Sequence, residues 1–212
     1  MLAAINVLGK GLSDANHNED ALTVMEAELA MLRRVGVSEH SILVVQSNLA
    51  NTYTMLGRPE EALRLREDVY SRTLNLMGEE HRETLHEACN YALSRLSLKH
   101  FEEAKSLFRK VIPVARRVQG DNDENTIRMR WYFAVALYQD EGASLDDLRE
   151  AATTLEDTAR TARRVLGSSH PTTEGIEDAL RLSRAPPRCA REEGDMDSLP
   201  DAMAAMSPPG SA

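Results

Sequence analysis

The chain has 212 residues, 42% hydrophobic and only 4% aromatic, with a formal net charge of -9. That apolar share excludes wholesale disorder, and the acidic balance argues against nucleic acid, whose binders need concentrated Lys and Arg to displace counterions. Ala, Leu, Glu and Arg dominate, a palette of helices rather than sheets.

The first twelve residues, MLAAINVLGKGL, lack a charged leader, a long apolar run and a cleavage site. No stretch approaches the roughly 20 apolar residues of a membrane span. The two cysteines, Cys89 and Cys189, are too few for a disulfide framework. The expectation is a soluble, cytoplasmic protein in a reducing compartment, with no membrane partner.

One eight-residue phrase recurs along the chain: GVSEHSIL at 36–43, GEEHRETL at 78–85, GDNDENTI at 120–127 and GSSHPTTE at 167–174. The text between the phrases recurs too. Residues 4–38 form a degraded first copy, in which Gly9 and Gly11 weaken the first helix and Ala21 stands one residue out of step. In the second copy, 39–80, apolar residues of period 3.6 predict a helix over 42–56, with Val45, Leu49, Tyr53 and Leu56 on one face. Gly57 stops it and Pro59 opens a second helix over 59–76, which ends at Gly78.

The third copy, 81–122, follows 42 residues later: Asn90 answers Asn48, Ala92 answers Ala50, and Glu102-Glu103-Ala104 answers Glu60-Glu61-Ala62. Thr84 reads as the cap of its first helix, and Pro113 should kink its second. The fourth copy, 123–169, carries five extra residues around GASLDD before Ala151, Gly167 and His170 fall back into phase. Residues 172–183 read as a closing helix, and 185–212, rich in Pro, Gly, Ser and acids, as a disordered tail. The repeated phrase is therefore a joint: Gly ends one helix, polar residues turn the chain, and the next hairpin begins. Stacked hairpins bury their faces on neighbours, which predicts an all-α, right-handed solenoid of about four antiparallel helix hairpins plus the closing helix, spanning 1–184.

The pattern NLA, Y, G and EEA, followed by G-x-x-H-P-x-T, resembles the tetratricopeptide repeat in its long, kinesin-light-chain-like form. The resemblance covers roughly 6–183. It implies a non-catalytic protein-protein interaction scaffold whose first helices line a concave groove. Carried over, it places Ser47, Asn48, Asn51 and Thr54, then His86, Cys89 and Asn90, then Arg128, Trp131 and Tyr132 on that groove. Asn side chains both donate to and accept from a peptide backbone, so they can hold an extended ligand without reading its side chains. Some proteins of this type clamp a carboxylate with Lys, Asn and Arg. Asn51, Asn90 and Arg128 fall at three of those five places, while Ser47 and Tyr132 stand where basic residues are needed. Trp131 reads either as a ligand anchor or as packing between the last hairpins.

Other chemistry finds no residues. His40, His81 and His170 lie a repeat apart, which suits fastening turns rather than chelation, so no metal or cofactor is expected. No nucleophile elbow, zinc-protease helix, phosphate loop or dinucleotide fingerprint occurs, so no enzyme is expected. The expected partner is a protein or peptide held as by an adaptor. The alternative is a structural fragment of a longer repeat array with no ligand of its own, self-associating through the N-terminal repeat and its Leu2, Ile5 and Leu8.

Overall fold

The computed structural model describes residues 11–12 and 17–184. The predicted tail, the first helix of the first copy, and Leu2, Ile5 and Leu8 lie outside them. Eight helices can be followed: α1 (Asn18–Val35), α2 (Glu39–Met55), α3 (Pro59–Met77), α4 (Arg82–Ser97), α5 (Phe101–Val118), α6 (Glu124–Gln139), α7 (Leu145–Val165) and α8 (Pro171–Arg184). The chain divides into two compact units, Met1–Gly78 and Glu79–Ala212.

In the first unit α2 packs on both α1 and α3. Leu22, Met25, Leu29 and Leu32 of α1 meet Val45 and Leu49 of α2, with Ile42, Tyr53, Leu56 and Leu65 around them. In the second unit each helix packs on the next from α4 to α8, and α6 also touches α4 and α8. The first helices of successive hairpins thus stack there as neighbours. Phe108, Leu85, Ile127, Met129, Leu137, Leu155 and Ile176 are sealed within it, and Phe108 meets Phe133 edge-on with ring centroids 6.4 Å apart. Burying a side chain of that size stabilises by about 1.5–3 kcal/mol. Ala62, Ala104 and Ala151, at matching places in the second helices, are at most 1% exposed; a larger side chain there would push the helices of a hairpin apart.

The joints are built as the glycines indicate. Gly36, Gly57, Gly78, Gly120 and Gly167 all have positive φ, between 68° and 93°, a region closed to most side chains. Lys99 occupies the place of Gly57 in the next copy and takes the same conformation, φ 61°. The predicted cap is corrected. Thr84 lies inside α4 and is 2% exposed, and the cap is His81, whose Nδ1 accepts from the Glu83 N–H at 3.3 Å. The reason is register: the cap stands three residues after the glycine. Asp123 does the same for α6, accepting from Asn125 N–H at 3.0 Å, and His170 accepts from Thr172 N–H at 3.2 Å. His40 is not equivalent, because Ser38 caps α2 and His40 falls within that helix.

The five extra residues of the fourth copy are divided. The loop before α7 has five residues where the loop before α5 has three, and α7 starts six residues before Ala151 where α5 starts three before Ala104. Ser144 and Asp147 close that added turn as a reciprocal capping box. α5 runs unbroken through Pro113, which stands on its exposed side.

Candidate peptide-binding face

Steps of 42 residues align three registers along the first helices. Val44, His86 and Arg128 share one, Ser47, Cys89 and Trp131 the next, and Asn48, Asn90 and Tyr132 the third. The two units dress these registers differently.

On α2, Ser47, Asn48, Asn51 and Thr54 are half-buried, and Val44 is 41% exposed. Residues 41–55 contain no charged side chain, so this helix face is neutral. Asn51 Oδ1 accepts a hydrogen bond from the Arg66 guanidinium on α3 at 2.5 Å, which fixes the amide and leaves its nitrogen as a donor. Thr54 Oγ1 donates back to the Ala50 carbonyl at 3.1 Å, a common habit of Thr within helices.

In the second unit, His86 and Asn90 on α4 are half-buried, while Cys89 between them is fully buried. α6 is more closed. Arg128, Trp131 and Tyr132 are 8%, 7% and 4% exposed. The Trp131 indole stacks on the Tyr132 ring, with centroids 4.7 Å apart, and the Arg128 guanidinium lies over that ring at 5.9 Å. Burial works against the Arg128 charge, but Cys89, Tyr132 and Glu124 facing it outweigh the burial and keep its pKa above the ordinary value. The same burial raises the Tyr132 phenol. Gly175 of α8 closes over Trp131. A Cβ there would stand 2.4 Å from Trp131 Cη2 and 2.6 Å from Cζ2, so the indole edge rests on the helix backbone itself. Trp131 therefore packs within the second unit, against the closing helix.

Two of these participants were missed by sequence reasoning, though the register points to both. Val44 stands 42 residues before His86, and Gly175 stands 47 after Arg128, the ordinary step plus the five-residue insertion. A third feature left no periodic signal. Lys105, 3% exposed, is held by Asp140 at 2.7 Å and Glu102 at 2.5 Å, which ties α5 to the loop before α7. Among the described residues no three His, Cys, Asp or Glu side chains gather where they could hold a metal ion. No described helix is long and apolar enough to cross a membrane.

Hairpins of this length, joined at positive-φ glycines and packed through small alanines, define a helical-repeat module. Residues 41–116 match a family model described as tetratricopeptide repeat. Among solved structures the chain is similar to a Podosopora anserina putative kinesin light chain with nearly identical TPR-like repeats. The TM-score is 0.70 at 23% identity, over 86% of this chain and 84% of that one. It is also similar to BtubC (BKLC) from P. vanneervenii, with TM-score 0.67 at 16% identity over 98% of this chain and 84% of that one. At those identities the likeness is one of fold. No curated protein matches the chain.

Proposed function

We propose that the chain is a non-catalytic protein-binding module that takes a peptide or helix along the first-helix faces of its repeats, as an adaptor does. The observation that carries this reading is the α2 face. Ser47, Asn48, Asn51 and Thr54 line up on it, half-open and without a formal charge. Hydroxyl and amide groups of that kind satisfy a ligand's backbone N–H and C=O groups whatever its side chains, and Val44 offers an apolar contact at one end. In the second unit His86 and Asn90 continue the same registers on α4. The test is affinity capture on the wild-type chain beside an Asn48→Ala, Asn90→Ala variant, with circular dichroism to show that both fold alike. A partner held by the wild type and lost by the variant supports the reading. Equal capture by both chains, or none by either, refutes it.

A further inference from the structure

The stack of side chains on α6 ends under α8, and polar groups buried on the two helices lack partners. Gly175 supports Trp131, Trp131 stacks on Tyr132, and Tyr132 carries Arg128. On α6 the indole Nε1 of Trp131 is sealed from solvent with no acceptor. At the start of α8 the Thr172 and Thr173 hydroxyls are sealed in the same way. Each of these groups hydrogen-bonds water freely when open, so closure forfeits those bonds without replacing them.

α8 is the last described helix. It is the shortest described helix, 14 residues, and Gly175 in its second turn lowers its intrinsic helicity. Its sealed apolar contacts are Ile176 and Ala179. Two ion pairs tie it to α7, Arg163 to Glu177 and Arg184 to Glu156, each at 2.5 Å between half-exposed or exposed groups. Pairs of that kind contribute little in water.

We infer that α8 is a lid. Docked, it seats on Trp131 and seals it; lifted, with α4 to α7 still folded, it presents Trp131 and its unpaired indole N–H to a peptide ligand, whose backbone carbonyls can accept from it. The ligand half of this inference rests on the proposed function, whereas the lid half stands without it.

Hydrogen exchange on the full chain, read by mass spectrometry, tests the lid directly. In the wild type the α8 amides should exchange at least about tenfold faster than those of α6 and α7, as expected for a separate opening unit. Gly175→Ala adds a methyl where the indole lies. It should speed α8 exchange further, shift the emission of Trp131 (the sole tryptophan) to the red and raise its quenching by acrylamide, while α4–α7 keep their protection. Trp131→Phe, which removes part of the seat without adding bulk, should likewise speed α8 exchange, and keeps the test readable if the alanine variant unfolds. If α8 exchanges in step with α6 and α7 in the wild type and in the folded variants, α8 is a fixed part of the core and the lid is refuted. Should α8 open separately while the Asn48→Ala, Asn90→Ala chain still holds every partner, the lid stands and the proposed function falls.

Discussion

Lys105 offers the sharpest test of how the second unit is held. Its ammonium is 3% exposed and lies between Asp140, 18% exposed, and Glu102, 76% exposed. Replacing Asp140 by Asn keeps an acceptor for the Gly142 N–H, now bonded to Asp140 Oδ1 at 3.0 Å, but removes the better-shielded counter-charge. Breaking a fully buried pair from one side costs about 3–5 kcal/mol; with Glu102 still present, the loss here should be about 2 kcal/mol. Lys105→Met removes the buried charge along with its partner's pull, and the apolar stem stays packed, so its cost should stay within about 1 kcal/mol. In the Lys105→Met background the Asp140→Asn change should become nearly neutral. The assay is urea unfolding followed by Trp131 emission, which reports on the same unit. If Lys105→Met costs as much as Asp140→Asn, or the double variant simply adds the two, the reasoning is wrong.

The pH dependence of that cost follows from the two groups. The Lys105 hydrogen bond, with the Gly142 N–H, holds the Asp140 carboxyl below its ordinary range. Its contribution is therefore complete above the unfolded value, near 4, and lost as pH falls through the depressed folded value. Burial pulls the Lys105 ammonium down, but bonds to Asp140 and Glu102 outweigh it and hold its pKa above the ordinary value. That contribution is complete below about 10.4 and lost as pH rises through the folded value. The Asp140→Asn penalty should be flat between those limits and shrink in acid.

Lys99→Gly should stabilise the second unit by roughly 0.5–1 kcal/mol, because a side chain at φ 61° is strained while glycine is not; an unchanged or lower urea midpoint would contradict this. At the α4 cap, His81→Ala should cost about 1 kcal/mol, whereas His81→Asp, the residue type used at Asp123, should cost little. Thr84→Val, at a sealed hydroxyl with no partner, should be neutral or stabilising in the same assay, and a loss of about 1 kcal/mol would restore Thr84 as the cap.

The hairpins were legible because they rest on local signals. Glycine at a helix end, proline at a helix start and a 42-residue recurrence of Asn, Ala and Glu-Glu-Ala each act within a few residues, and α2 and α3 lie within three residues of their predicted bounds. Even the His81 cap was readable in principle, since its spacing from Gly78 repeats at Asp123 and His170. The face was legible only as a register. The same step that aligns Asn48 with Asn90 also aligns Ser47 with Trp131, but whether a position is open or sealed depends on what stands across from it. Ser47 is half-open, whereas Trp131 is sealed because α8 brings a residue without a side chain against it. Lys105 teaches the same point: its partner Asp140 lies 35 residues away, in a loop that breaks the period, and no spacing rule connects them. Sequence alone determined where helices begin, end and recur, because backbone conformation is a short-range property. Only the tertiary structure decided which of the recurring side chains are exposed, sealed or paired, because burial and electrostatics depend on atoms that the chain brings together from far apart.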